Sequence, residues 1–137
     1  MLIDAKDRIL GRLCSFAAKK ALEGEKVDII NAEKAIFTGD RKKILAEYQR
    51  KKEMGIPSKG PFMYNSPEKF VKRSIRGMLP YKKERGKKAL SNIKAYSGVP
   101  EQFKEKKPQE MKMVKSEKSN LRYLTVKEVC RILGAKR

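Results

Sequence analysis

Residues 2–32 read LIDAKDRILGRLCSFAAKKALEGEKVDIINA, and their pattern indicates the fold class of the chain. Its middle has apolar residues at positions 10, 13, 14, 17, 18, 21 and 22, the spacing of an amphipathic helix with one buried face. Short apolar runs precede and follow it at residues 2–5 and 27–32, the second rich in β-branched side chains. Asp7 lies near the predicted helix start, and Gly24 lies just past its end, where a left-handed cap is common. The stretch therefore predicts a strand, a helix and a second strand.

The alternation of strand and helix continues beyond this stretch. Residues 35–37 form a further short apolar run, and Asp40 after it is a predicted N-cap for a basic helix over residues 41–54. Strand, helix, strand and helix in this order favour an α/β fold with a right-handed crossover connection.

The sequence then predicts a loop, two more helices and a closing strand. Residues 56–67 contain three prolines and predict the loop. Ser66-Pro67, a cap residue followed by proline at the first helical position, predicts a helix that ends near Gly77. A further helix over residues 82–92 and a strand over residues 93–96 complete this part of the chain.

The last part of the sequence differs in composition from the rest. Residues 101–119 are rich in Lys, Glu, Gln and Pro, which predicts an extended or disordered connector. Thr125 and Glu128 then have the spacing of a capping box at the start of a short helix. We therefore predict one α/β domain over residues 1–100, with residues 101–137 as a charged connector and a C-terminal helix docked on it.

Charge is distributed unevenly along the 137 residues, whose net formal charge is +19. Residues 1–35 hold seven cations and six acids, residues 36–99 hold seventeen and five, and residues 100–137 hold eleven and five. A protein made soluble by lysines alone would have its charge spread evenly. The excess in the middle segment instead predicts a polyanionic partner.

Several classes of function are disfavoured by what the sequence lacks. It has no histidine, which removes the commonest general base and the commonest zinc ligand. It has no Gly-x-Gly-x-x-Gly or Walker motif, and no apolar run long enough to span a membrane. Cys14 and Cys130 match no metal or redox spacing and are predicted to be buried or half-buried thiols in a reducing cytosol. We therefore predict no enzyme activity, cofactor, metal, small-molecule substrate or membrane contact.

The basic residues of the middle segment are the predicted contacts with RNA. They are densest between Arg76 and Lys88, where six cations surround one acid, Glu84. Lysine and arginine release condensed counterions when they bind phosphates, and arginine also binds phosphate through two donors and stacks on bases. The predicted RNA-binding residues are Arg41, Lys42, Arg50, Lys51, Lys52, Lys59, Lys69, Lys72, Arg73, Arg76, Gly77, Tyr81, Lys82, Lys83, Arg85, Gly86, Lys87 and Lys88.

Three of these residues have two interpretations each. Gly77 and Gly86 have no side chain to keep a phosphate from the backbone. Alternatively, either glycine only ends or interrupts a helix. Tyr81 suits stacking on an exposed base, or it packs on its own helix. The apolar pair Met78 and Leu79 is predicted to anchor this segment to the core.

Five motifs, in this order and spacing, resemble one known family. They are GRLCS at residues 11–15, INAE at 30–33, TGD at 38–40, RGMLPY at 76–81 and YSGVP at 96–100. The family is that of large-ribosomal-subunit protein thirteen (L-thirteen), in its archaeal and eukaryotic form, and the resemblance covers residues 1–100. The family often carries histidine after Gly-Val-Pro, where this chain has Glu101-Gln102, so no RNA contact is carried over there. The length favours the archaeal type over the longer eukaryotic forms.

The resemblance implies both a fold and a function. The fold is a three-layer α/β/α sandwich around a mostly parallel sheet of four strands. The function is that of a structural constituent of the large ribosomal subunit, which binds and stabilises rRNA through a basic surface, assembles early and has no catalytic role. The implied partners are large-subunit rRNA and neighbouring large-subunit ribosomal proteins, in the cytoplasm. A free-standing RNA-binding regulator, for example of mRNA translation, is the alternative.

Overall fold

A computed structural model describes residues 1–56, 58–109 and 122–135, which form five strands and five helices. The strands are β1 (Leu2–Asp4), β2 (Val27–Ile30), β3 (Ile36–Thr38), β4 (Ile93–Ala95) and β5 (Tyr123–Thr125). The helices are α1 (Leu10–Leu22), α2 (Arg41–Glu53), α3 (Pro67–Met78), α4 (Glu84–Ser91) and α5 (Val126–Ile132). Single turns of 3-10 helix cover Ala32–Lys34 and Glu101–Phe103.

Strands β1, β2 and β4 form a parallel sheet with β2 in the middle. Ile3 pairs with Ile29 and Val27 pairs with Ile93, and all four side chains are fully buried. Each of the three strands therefore contributes a fully buried apolar side chain to the core, and both pairings in this sheet are parallel. The predicted α/β class with a mostly parallel sheet is therefore confirmed.

The four-stranded sheet and the three layers implied by the resemblance are not confirmed. The parallel sheet has three strands, and β3 pairs instead with β5 in a separate antiparallel sheet, with Ile36 opposite Thr125. An isolated parallel bridge joins Ile36 to Ile9, just before α1. Strand β5 was not predicted, because three residues carry too little periodicity to mark a strand.

One cluster of buried side chains connects the parallel sheet, α1, α3 and the C-terminal segment. Leu124 of β5 and Val126 of α5 belong to this cluster and are fully buried. Cys14 and Cys130 are also part of it, and both are free thiols, as predicted. Burial raises the pKa of the Cys14 thiol to about 12 and that of Cys130 to about 11.

Three of the predicted helix caps form, two at helix N-termini and one at a C-terminus. The Asp40 carboxylate accepts a hydrogen bond of 3.2 Å from the backbone amide of Lys42, at the start of α2. Thr125 and Glu128 make the complete capping box of α5. Gly24 follows α1 with a φ of +96°, in the left-handed region where glycine has no Cβ penalty.

One other cap prediction is wrong. Ser66 occupies the N-cap position of α3, but its hydroxyl donates to Glu68 at 3.3 Å and accepts no bond from the helix backbone. Helix α1 begins at Leu10, as predicted, and Asp7 lies three residues before it with a φ of +56°.

Part of the predicted connector has regular structure. Glu101–Phe103 forms a 3-10 turn, where an extended or disordered chain is predicted. The backbone amide of Gln109 donates to the Leu2 carbonyl at 2.9 Å, so this part of the chain runs beside β1. The rest of the connector, residues 110–119, lies outside the described residues.

Candidate nucleic-acid interface

Helix α3 separates apolar from basic residues. The side that packs in the core carries Phe70, Val71 and Ile75, at the spacing of an amphipathic helix. Its predicted RNA contacts remain accessible, with Lys72 half-buried and the others exposed: Lys69, Lys72, Arg73 and Arg76. The helical spacing that directs the apolar side chains into the core therefore directs the basic side chains toward solvent.

Both arginines of α3 lie over tyrosine rings. The guanidinium carbon of Arg73 is 5.4 Å from the centroid of the Tyr64 ring, and that of Arg76 is 4.5 Å from the Tyr81 ring. Nη1 of Arg73 also donates a hydrogen bond to the backbone carbonyl of Phe62. These contacts hold the guanidinium groups in place and still leave Tyr81 37% exposed.

The turn between α3 and α4 gives Gly86 a packing role. Gly86 is buried, and a Cβ at this position would lie 2.1 Å from the Pro80 backbone oxygen. The predicted approach of phosphate to Gly86 is therefore not supported, because protein backbone already covers it. Gly77 is exposed, and a Cβ there would meet no atom of the described residues within 4 Å beyond its own helix backbone and chain neighbours.

The prediction that Met78 and Leu79 anchor this turn to the core is confirmed for Leu79 only. Leu79 is buried with 4% of its surface exposed, whereas Met78 is 46% exposed. The Met78 sulfur accepts a 3.8 Å hydrogen bond from the Ser15 hydroxyl of α1. Only Leu79 therefore acts as the core anchor, because the helix continues one residue past Gly77 and directs Met78 to the surface.

Helix α2 is held beside α3 by an aromatic cluster. It has no fully buried residue. Its Tyr48 ring lies 5.6 Å from Phe37 of β3 and 5.4 Å from Phe70 of α3, centroid to centroid. Burial raises the pKa of the Tyr48 hydroxyl above its ordinary value.

Two of the predicted cations on α2 have acidic partners. Arg41 lies 3.4 Å from Glu128 of α5. Lys51 pairs with Glu47 one turn away, and its ammonium also lies 5.2 Å from the Tyr48 ring centroid. The remaining predicted cations on α2 and in the loop after it are exposed: Lys42, Arg50, Lys52 and Lys59.

Two open clefts lie where the predicted cations of α3 come together. The first has a volume of about 360 Å³ and is lined by Tyr64, Lys69, Lys72, Arg73, Arg76 and Leu90. The second has a volume of about 290 Å³ and is lined by Tyr48, Lys51, Met63, Tyr64, Phe70, Arg73 and Ser74. Tyr64 and Arg73 line both clefts, so their contact is the boundary that the two share.

Other predicted residues lie apart from these clefts. Lys82 and Lys83 line a shallow depression with Tyr81. Arg85 lines a groove between α1 and the end of α3, together with Lys19 and Met78. Lys87 and Lys88 are exposed on α4.

Sequence reasoning did not select three of the residues that line these sites. Tyr64 and Leu90 line the larger cleft, and Lys19 lines the groove beside Arg85. A tyrosine in a loop just before a basic helix was a usable signal for Tyr64. Nothing in the sequence marked Leu90 or Lys19, whose positions depend on how helices pack.

The cations of α3 and α4 have no acidic partner within 4.0 Å among the described residues. Their positive charge is therefore available to an external anion. In the same residues no group of three or more Cys, Asp or Glu side chains is placed to hold a metal ion. None of the described helices is both long enough and apolar enough to cross a membrane.

Comparison with known proteins gives a match over residues 1–102 to the family described as ribosomal protein L13. The chain belongs to the ribosomal protein L13 family. The match to L13 includes every predicted RNA-binding residue, since all of them lie between residues 41 and 88.

Archaeal relatives resemble the chain over nearly its whole length. "Large ribosomal subunit protein uL13" of Archaeoglobus fulgidus is 40% identical over 135 residues, which cover 97% of this chain and 86% of the relative. The protein of the same name from Methanosarcina barkeri is 41% identical, with 98% of each chain covered. That from Methanococcus maripaludis is 40% identical, with 99% of this chain and 98% of the relative covered. The predicted family and its archaeal type are thus confirmed.

Proposed function

We propose that the chain is a structural constituent of the large ribosomal subunit, which binds and stabilises rRNA through α2, α3 and α4 and contributes to subunit assembly. One observation carries the proposal: in a member of the ribosomal protein L13 family, the α3 and α4 cations are exposed or half-buried and have no acidic partner among the described residues. Family membership also confirms that the chain is not an enzyme and that it is a cytoplasmic ribosomal protein.

The mechanism is electrostatic. Lysines and arginines that meet phosphates release condensed counterions, so binding weakens as salt rises. If about six to eight phosphates are met, the slope of log K against log salt is roughly −4 to −7. Arg73 and Arg76 lie on tyrosine rings before RNA arrives, which reduces the side-chain entropy lost on binding.

We assign residues 1–100 to one rRNA-binding domain, and residues 101–137 to a charged connector and a helix docked on that domain. The burial of Leu124, Val126 and Val129 in the same cluster as α1 supports the docking. The Arg41–Glu128 ion pair between α2 and α5 supports it as well. Neighbouring ribosomal proteins are the further partners that this assignment implies.

Charge reversal tests the proposed surface. The variant Arg76→Glu, Lys82→Glu, Arg85→Glu is compared with a control that changes net charge equally, Lys6→Glu, Lys26→Glu, Lys107→Glu, at exposed positions outside α2, α3 and α4. We expect the first variant to bind a large-subunit rRNA fragment at least tenfold more weakly, with a salt slope smaller by about 2 to 3. Unchanged affinity, or an equal loss in the control, contradicts the assigned surface.

Sedimentation separates the proposed function from that of a free-standing regulator. A structural constituent co-sediments with large subunits in a near one-to-one ratio, and stays bound through a wash at moderate salt. A regulator is found mostly in the unbound fraction. The second result contradicts the proposed function whatever the RNA affinity of the isolated chain.

A further inference from the structure

We propose that the larger cleft, between Tyr64 and α3, binds one unpaired nucleotide of the RNA. The inference rests on the proposed RNA-binding function and adds to it a subsite for a base. The base stacks on the surface formed by the Tyr64 ring and the Arg73 guanidinium. The adjacent phosphates meet the other cations of the cleft, Lys69, Lys72 and Arg76.

The lining of the cleft matches a nucleotide. Of its six lining residues four are cations and none is acidic, while Tyr64 and Leu90 supply an aromatic and an aliphatic surface. Its volume of about 360 Å³ is within the range of roughly 300–1,000 Å³ typical of small-ligand sites. A paired RNA helix offers phosphates to such a site but keeps its bases stacked inside. An unpaired nucleotide offers both a phosphate and a free base face.

The stacking surface is fixed before RNA binds. Arg73 lies over the Tyr64 ring and donates to the Phe62 carbonyl, so it joins α3 to the loop on one side of Tyr64. On the other side, the Asn65 amide donates to the Gly134 carbonyl at 3.2 Å. Tyr64 itself remains 41% exposed between these two attachments. A base therefore meets a surface that has little conformational freedom left to lose.

Two hairpin RNAs test the inference. They are identical except that one carries a single unpaired 2-aminopurine and the other has that base paired with uracil. The full chain is compared with Tyr64→Ala, with Tyr64→Phe, and with a control from the same loop, Phe62→Ala. Phe62 is 62% exposed and does not line the cleft, so the control removes an aromatic ring of similar size outside the site.

We expect the full chain to bind the bulged hairpin about tenfold more tightly than the paired one, with a change in 2-aminopurine fluorescence on binding. Tyr64→Ala removes this difference, whereas Tyr64→Phe and Phe62→Ala keep it. The salt slope is the same for Tyr64→Ala and the full chain, because no phosphate contact is lost. Circular dichroism melts check that all variants fold.

Equal affinity of the full chain for the two hairpins overturns the inference, and so does an equal loss on both hairpins for Tyr64→Ala. Either result leaves the proposed RNA-binding function intact. Failure of the full chain to bind any large-subunit rRNA fragment contradicts the proposed function itself, so the two failures are distinguishable.

Discussion

A Cβ on Gly86 would lie 2.1 Å from the backbone oxygen of Pro80, far closer than Cβ atoms approach a non-bonded atom in folded proteins. The first turn of α4 therefore touches the backbone of the turn that precedes it. A backbone neighbour cannot rotate away as a side chain can. The position of α4 beside α3 therefore requires glycine at position 86, because any side chain there would meet the Pro80 backbone.

We expect Gly86→Ala to lower the free energy of unfolding by about 1–3 kcal/mol, because the methyl group forces the Pro80 turn and α4 apart. Urea unfolding followed by circular dichroism measures this. Gly77→Ala is the matched control, since Gly77 is helical and exposed and a Cβ there approaches no other part of the described chain within 4 Å. That change raises the free energy of unfolding by about 0.4–1 kcal/mol. Equal effects at the two glycines contradict the contact.

The sequence predicts those parts of the fold that depend on local patterns. The helix Leu10–Leu22 has its predicted bounds, because seven apolar residues at helical spacing mark a long buried stripe. Strand β5 escapes prediction, because a run of three residues becomes a strand only by pairing with β3, far away in the sequence. The prediction of a four-stranded parallel sheet is not confirmed for the same reason. Strand β3 forms, but it pairs with β5 instead of joining the parallel sheet.

The candidate site is predictable to the same extent. The basic residues could be selected from charge density, which is a property of composition. The contact between Tyr64 and Arg73 could not, because it depends on where the loop after α2 lies against α3. For Gly86 the sequence pattern was misleading. A glycine among cations predicted a phosphate contact, but the close packing of α4 against the Pro80 backbone explains why glycine is required there.

The capping box of α5 contributes to stability through two reciprocal hydrogen bonds. The Glu128 amide donates to the Thr125 hydroxyl oxygen at 3.3 Å, and the Thr125 amide donates to Glu128 at 3.0 Å. We expect Thr125→Ala to lower the free energy of unfolding by about 1 kcal/mol. Ser66→Ala is the control, because Ser66 has the N-cap position of α3 without a cap bond. Because no cap bond is lost, it should lower the free energy of unfolding in urea by at most about 0.5 kcal/mol. A loss equal to that of Thr125→Ala contradicts the assignment.

The Cys14 thiol should be almost unreactive in the folded protein. Its pKa of about 12, raised by burial from 9.0, lowers the thiolate population at pH 8 by about 1,000-fold. We expect modification by Ellman's reagent at pH 8 to be slow until urea unfolds the chain. Fast modification of both cysteines in the absence of urea contradicts their burial.

The same shift makes stability depend on alkaline pH. Above pH 9 the unfolded chain releases the Cys14 proton, while the folded chain keeps it until about pH 12. The unfolded state therefore binds fewer protons in this window, and stability falls as pH rises. We expect the pH dependence of the urea midpoint between pH 9 and 11 to be shallower for Cys14→Ala than for the parent chain. Identical slopes contradict the raised pKa.

Arg73 connects α3 to the loop after α2 through the Phe62 carbonyl and the Tyr64 ring. The loop contains an exposed lysine, Lys59, after which trypsin cleaves. Because a hydrogen bond from a charged donor contributes about 1.5–3 kcal/mol, we expect Arg73→Ala to open the loop more often and to speed cleavage of the Lys59–Gly60 bond about tenfold or more. Mass spectrometry of timed digests follows that bond alone.

Arg76→Ala is the matched control, with the same loss of charge on the same helix but with its ring contact to Tyr81 outside the loop. Faster cleavage in both variants would assign the effect to general destabilisation, and unchanged cleavage in Arg73→Ala would show that the loop is held by other contacts.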